Sequence, residues 1–453
     1  MHDRIRPRAR EAPPLPQSRP AVSPHEQRRS RIVIPAVVHQ HADEAASLFV
    51  MRSPLTAAPH ARLDDLQRLD TRLAAHLDGL SVAGEHAWPV CESTLETLSA
   101  GAVFTAAAWA LQNAVRRLDA LFALPPSSSA AQRELIAAFG WVEGDQLEGL
   151  VAHLLVDEDR IRRQTGMAAC GSHRVDPGLA RGEWLRDADA AVRARALRAA
   201  GEIGVSDAMP TCLHSLEDED EDCRFWGAWS ATLLGDRRRA VDYLTRLATT
   251  SSRHALRASR LALQAHEIEA GHAVLTGAAR DPQRLTWVIR GSGIVGDPAY
   301  APWMIAQMAN ARTARAAGEA FTLITGLDLS VPPYERPAAG PADGQPNDDP
   351  EDPNVEMDAD DRLPWPDAGR VRQWWEDNKS RFVMGRRYFM GAPVTHEHCI
   401  GVLKRGRQRE RSLAAHHLCL LEPGTPLFNT AAPAWRQQSW VRQERSVDHV
   451  AGR

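Results

Sequence analysis

The chain has 453 residues, 43% of them hydrophobic and 25% charged, with 54 Lys and Arg against 58 Asp and Glu, a formal net charge of −4. This balance supplies no overall attraction for nucleic acid or an anionic membrane, and no run of eighteen apolar residues exists to span a bilayer. Six scattered cysteines without CxxC spacing fit reduced thiols in a cytoplasmic protein, not a disulfide framework or a zinc site.

Residues 1–31 are rich in Arg and Pro and contain no apolar stretch of the kind a secretory signal needs; we read them as a disordered tail. From residue 32 to 124 the pattern is helical. A first helix covers residues 40–49. A second, from Leu63 to Leu80, places Leu66, Leu69, Leu73 and Leu77 on one face and ends near Gly79. A further apolar helix is expected from about Leu95 to Phe122. These helices form an N-terminal cap region, and Pro125-Pro126-Ser127-Ser128-Ser129 closes it.

Residues 130–330 carry an internal repeat. The segment VRARALRAAGEIG (192–204) is echoed by CRFWGAWSATLLG (223–235), so Arg193 to Arg224 and Gly204 to Gly235 are each 31 positions apart. Ile161-Arg162 begins an upstream copy. Weaker copies run from Leu256-Arg257 to Ile268, Leu285 to Gly296 and Arg315 to Gly326. Each copy is three turns of apolar-periodic helix closed by glycine, then a short turn and a second apolar stretch such as residues 208–216. That is a helical hairpin, and a hairpin buries its apolar face only by stacking on its neighbours. The predicted fold is therefore all-α, an α-solenoid of helical hairpins. An acid stands four positions before the repeat arginine in Glu158/Arg162, Asp189/Arg193 and Asp220/Arg224, a spacing that predicts a structural ladder of paired charges at the helix starts. At Arg257 the acid is replaced by Arg253.

Residues 331–361 are dominated by Asp, Glu, Pro and Gly, with no Lys or Arg between Arg336 and Arg362. We read them as a disordered acidic loop; they lack the ligand spacing of a calcium loop. Residues 362–440 form a C-terminal helical cap region, with helices expected at residues 371–382, about Glu397 to Lys404, and Gln408 to Leu421. Residues 441–453 are read as a second disordered tail.

The alanine-rich pattern with its terminal glycine resembles HEAT repeats, including the short class also seen in bilin-lyase-like proteins. A more specific resemblance covers both ends of the chain, excluding the tail and the acidic loop. Residues 40–46, 69–80, 83–84, 317–321, 324–327, 381–382, 385–388, 391–393, 406–411, 414–415 and 423–428 are similar to a bacterial family of HEAT-repeat proteins whose genes occur in type VI secretion clusters. His416-His417 departs from it where an acid is commoner. The resemblance implies a cytoplasmic accessory role near the secretion machinery, and no catalytic residue.

His396-Glu397-His398-Cys399 and His416-His417 are the densest metal-capable set, but alternate helical residues do not share a face, so no metal site is expected. Lys404, Arg405, Arg407, Arg409 and Arg411 form the one local basic cluster. DNA-lesion recognition of the HEAT-like glycosylase type would need such a surface beside an aromatic cleft, and the net charge and absence of a repeated basic face argue against it. Gly291-Ser292-Gly293-Ile294-Val295-Gly296 partly mimics a dinucleotide loop but has no preceding strand. No nucleophile elbow or phosphate-binding loop is present. The expected function is thus a non-enzymatic scaffold or adaptor for a protein partner, without cofactor, with Arg162, Asp189, Arg193, Gly204, Asp220, Arg224, Gly235, Gly296 and Gly326 as structural repeat positions. The alternative is a HEAT-like enzyme or binding module, bilin-lyase-like or DNA-lesion-recognising.

Overall fold

The computed structural model describes residues 33–125, 129–179, 182–337 and 360–450. The expected tail at 1–31 and most of the acidic segment therefore lie outside the described residues.

Five helices lead: α1 (Pro35–Leu55), α2 (Leu63–Ala83), α3 (Ala87–Thr94), α4 (Ala100–Asn113) and α5 (Leu118–Phe122). The repeat region follows as α6 (Ser129–Trp141), α7 (Leu150–Leu155), α8 (Arg160–His173), α9 (Ala190–Ile203), α10 (Met209–His214), α11 (Glu221–Leu233), α12 (Arg239–Leu247), α13 (Ala255–Ala265), α14 (Ile268–Ala278), α15 (Leu285–Val295), α16 (Ala301–Gln307) and α17 (Ala314–Thr325). Last come α18 (Ala368–Asn378), a short antiparallel pair β1 (Tyr388–Phe389) and β2 (Ala392–Pro393), then α19 (His396–Arg405), α20 (Gln408–Leu421) and α21 (Ala434–Val450). This is an all-α solenoid.

Its spine is the row of first helices, in which α4, α6, α8, α9, α11, α13, α15 and α17 pack each on the next. Small residues set that approach. A Cβ at Gly201 would meet the Ser230 backbone at 2.8 Å, and one at Gly293 would meet the Ala320 backbone at 2.7 Å. The fully buried Ala196, Ala199, Ala200, Ala228 and Ala231 keep neighbouring helices close, while Leu197, Phe225 and Leu261 fill the space between rows.

Several local expectations are corrected. Helix α2 does not stop at Gly79 but runs to Ala83, and Gly84 is its cap. Gly79 is small for packing, since a Cβ there would lie 2.6 Å from the His41 ring. The single helix expected over 95–122 is broken into α4 and α5, because Ala114 leaves the helical region at φ −156°. Copy α13 ends at Ala265, before Ile268 and without a glycine. Helix α21 continues to Val450, so residues 441–450 are helical, not part of a disordered tail. Both flanks of the acidic segment are tied: Glu335 bridges Pro366, and the Asp367 amide donates to Tyr334 O at 2.7 Å.

The largest difference concerns residues 362–440. Only α18 and the Phe382–Tyr388 turn sit at the end of the stack, where Val371, Trp375, Phe382 and Tyr388 share a core with α16 and α17. The rest of the chain turns back along the repeats. Helix α20 packs on α13 and α11, and the segment after it reaches the N-terminal region, where the Ala434 amide donates to Asp70 Oδ2 at 2.7 Å. Buried Arg52 pairs with Asp70 and donates to the carbonyls of Ala431 and Ala432 at 3.1 Å each. Arg436 donates to the carbonyls of Gly140, Trp141 and Val142 at the end of α6. The region is a strap along the solenoid as much as a cap on it.

Candidate functional site

The repeat positions form two edges. At the helix starts, Asp159, Asp189 and Asp220 are N-caps that accept backbone amides: Ile161 N on Asp159 at 2.6 Å, Ala191 N on Asp189 at 2.9 Å and Cys223 N on Asp220 at 2.9 Å. Four residues on, Arg163, Arg193 and Arg224 each turn Nη1 back onto two carbonyls ahead of the cap, at 2.7–3.1 Å. Their forks then reach the next repeat. Arg163 grips Asp187 at 2.9 and 3.2 Å, and Arg193 grips Asp218 at 3.1 and 3.0 Å. The underlying motif is Asp-x-Asp-x3-Arg, beginning at Asp157, Asp187 and Asp218.

The predicted ladder is therefore corrected in two respects. Its first rung is Arg163, one position beyond Arg162, which instead pairs with Asp119 at 2.8 Å and lies over the Phe122 ring. And the acid of each rung is not the capping Asp189 or Asp220 of the same helix but the first aspartate of the following repeat. Arg193 is held above the ordinary guanidinium value by its hydrogen bond with Asp218; burial alone would raise the Asp218 carboxyl, but the Arg193 hydrogen bond takes it below its ordinary range. Arg224 finds no third acid because Thr249 stands there; the lock passes instead to Arg253, which reaches back to Asp222.

At the opposite edge Gly204, Gly235, Gly296 and Gly326 end their helices at φ +85°, +119°, +79° and +71°. All four lie against the returning strap. A Cβ at Gly204 would collide with Gly424 O, one at Gly296 with Tyr388 O, and one at Gly326 would lie 2.6 Å from Met390 O. The strap amides complete the contact: Tyr388 N donates to Gly296 O at 2.8 Å, Gly391 N to Ile324 O at 3.0 Å and Leu427 N to Glu202 O at 3.0 Å. Arg387 donates to the carbonyls of Leu263, Gln264, Val295 and His266, which lie at the ends of α13 and α15. These groups are the orphan carbonyls of the helix ends.

Between the first-helix row and the strap lies a groove with two cavities. The larger, about 600 Å³, takes Arg133 from α6, Gln164 from α8, Arg195 and Arg198 from α9 and Trp226 from α11 as one wall, and residues 429–433 of the strap as another. Arg133, Gln164, Arg195, Trp226 and Arg257 follow one another at intervals of 31 residues, so one repeat position projects a column of polar and aromatic side chains along this face. The second cavity, about 320 Å³, is lined by Arg260, Trp287, Arg290 and Glu319 of the repeats and Arg409 of α20. Glu202 of α9 lines the larger cavity, receiving Arg195 at 2.6 Å and Arg198 at 2.8 Å. Burial would raise its carboxyl, but Arg195, Arg198 and Arg174 together hold it at about 2.

Arg133, Arg195 and Arg257 at one repeat position thus give this face a repeated basic character that the sequence analysis does not expect. Its signal was present, because the column has the interval that defines the repeat. It was hidden because Gln164 and Trp226 interrupt the arginines.

The local basic cluster, by contrast, is dispersed by α19 and α20. Arg407 meets Asp328 at 2.8 Å, Arg409 meets Glu319 at 2.9 Å, and fully buried Arg411 donates to Leu403 O and Gln437 Oε1. His398 contacts Phe389 O, His416 contacts Gln264, and buried His417 packs against Phe389. Burial, followed by the Arg260 charge, lowers His416 to about 4. Among the described residues no three metal-ligating side chains converge, and none of the helices searched is long and apolar enough to cross a membrane. Gly291 and Gly293 serve packing against Leu275 and Ala320 inside a helix.

A family model for HEAT repeats matches residues 180–264, the span from before α9 to the last turn of α13. No curated protein matches the chain. The chain therefore carries HEAT repeats, an architecture suited to protein interaction.

Proposed function

We propose that this chain is a non-enzymatic scaffold or adaptor that binds a protein partner in the groove between its first-helix row and its strap, and that it serves as a cytoplasmic accessory of type VI secretion. The observation that carries the binding role is the groove itself. It is lined by side chains from seven successive first-row helices, α6, α8, α9, α11, α13, α15 and α17, which is how a stacked array presents an extended binding surface. The secretion context rests on the family resemblance of the two chain ends.

The test is affinity purification of the tagged protein from its own bacterium, with mass spectrometry and a parallel assay for bound nucleic acid. Recovery of sheath or baseplate components is the expected result. Recovery of nucleic acid or a small molecule alone overturns the reading.

A nucleic-acid-binding module is the second reading, favoured by the arginines of the column. Trp226 weighs against it: Arg198 lies 4.6 Å over its ring, and Phe225, Trp229 and His254 surround it. Base stacking needs a free aromatic face.

A further inference from the structure

The two halves of the groove differ in how their positive charge is met. In the α15–α17 half each guanidinium has an acid or carbonyl: Arg290 pairs with Asp360, Arg315 donates to Asp360 O at 3.0 Å, and Arg409 meets both oxygens of Glu319 at 2.9 and 3.0 Å. Asp360 comes from outside the repeats, so a carboxylate brought in by a non-repeat segment already sits between these arginines.

In the α9–α13 half no described carboxylate from outside the repeats does the same. Arg257 and Arg260 make no hydrogen bond or ion pair with any described residue, and Arg198 meets Glu202 through Nε alone. Trp226 stands as a post between them, its ring 4.6 Å from the Arg198 guanidinium and 6.0 Å from that of Arg257. Among the described residues the crowding at Arg257 and Arg260 is offset only in part. Burial and then Arg198 lower Arg257 below its ordinary value, and burial followed by Arg409 does the same to Arg260, with Glu319 opposing it and Arg290 and Arg257 adding to it.

We infer that the stretch from Arg198 past Trp226 to Arg257 and Arg260 binds an acidic segment of the partner protein, with partner carboxylates taking the place that Asp360 fills farther along. The inference rests on the scaffold reading and names the chemistry of its partner. Guanidinium forks match carboxylates in a bidentate geometry, and the Asp360 contacts are an instance of that match in the same groove. Fixed acids favour a peptide over a polynucleotide. Glu202, Asp222 and Glu319 stand among the arginines of the wall; a continuous phosphate backbone would run past each of them, whereas a peptide can place its carboxylates only where arginines stand.

The probe is a fluorescein-labelled decapeptide of alternating Asp and Gly, with an Asn–Gly decapeptide and a single-stranded DNA decamer as comparisons, followed by anisotropy on the full chain at low and moderate salt. The acidic peptide is expected to bind, and the Asn peptide to bind at least tenfold more weakly. The triple variant Arg198→Gln, Arg257→Gln, Arg260→Gln should lose at least tenfold in acidic-peptide affinity, while Arg238→Gln, outside the groove, should lose none. Should the triple variant fail to fold, Arg257→Gln alone, at an exposed position, should lose about threefold. Absence of acidic-peptide binding, or binding untouched by the groove variants, overturns the inference. So does DNA binding that is tighter than peptide binding and equally groove-dependent. Purification from the bacterium with wild type and the triple variant separates the two readings: equal partner capture by both leaves the scaffold standing and sinks the acidic-segment inference. Failure of both to capture any protein sinks the scaffold, with the anisotropy still reporting on the groove.

Discussion

At the starts of the repeat helices each repeat is tied to the next one along by Arg163–Asp187 and Arg193–Asp218, forks that span 24 and 25 residues. At their ends Gly204, Gly235, Gly296 and Gly326 lie against a strap from the far end of the chain, with contacts such as Leu427 N to Glu202 O. The first edge is local, repetitive and only partly exposed. The second is non-local and made once at each position by different strap residues. A stack held only by its local edge would be a sum of neighbouring repeats; the strap ties the last repeats to the first, so distant parts of the array are expected to unfold together.

That comparison is most sharply tested at Glu202, on the strap edge. Glu202→Gln leaves the enclosed Arg195 without its carboxylate, and breaking a buried pair of this kind costs about 3–5 kcal/mol. Urea denaturation followed by circular dichroism should show it. The sign with pH follows from a folded value of about 2 against an ordinary 4.5: the stabilisation is complete above about 4.5 and is lost as pH falls toward 2. The gap between wild type and variant should therefore narrow on acidification, and a constant gap between pH 7 and 3 would contradict the assignment.

Next in size is Gly204→Val. A β-branched residue at φ +85° is strained, and its Cβ meets the strap at Gly424, so a loss of about 2–3 kcal/mol is expected. Hydrogen exchange should increase at residues 422–428 as well as at the end of α9. An increase confined to α9 would mean that the strap is not held there.

On the other edge, Asp218→Asn removes the charge from one rung and should cost about 1–2 kcal/mol, with exchange rising at the junction of α9 and α11 and not at the strap. The smallest effect belongs to Arg239→Ala, whose pair with Glu217 is exposed on both sides. Its unfolding midpoint should move by no more than about 0.5 kcal/mol equivalent, and a larger loss would place an unrecognised contact at α12.

The sequence was legible where the chemistry is short-range. The 31-residue interval gave the hairpins, and the glycines at 204, 235, 296 and 326 do adopt the left-handed conformation that ends a helix. The capping aspartates also follow from local spacing. Errors began one step beyond the helix turn. Asp189 and Arg193 share a turn, yet the fork of Arg193 goes to Asp218, because a guanidinium beside a cap is pointed along the stack and not back at its own helix. Arg411 sits in an apparent basic run but is wholly buried, since Gln408, Leu403 O and Gln437 satisfy it.

By itself, then, the sequence determined an all-α stack of short hairpins, its period, its caps and its helix ends, since each follows from residues within a few turns of one another. Only the tertiary structure decided that residues 388–437 return along the stack, that the terminal glycines serve a distant segment as well as their own helices, and that Arg198, Trp226, Arg257 and Arg260 share a groove. Those features depend on which surfaces meet after the repeats have stacked. Pairing between surfaces so far apart in the chain leaves no period in the sequence.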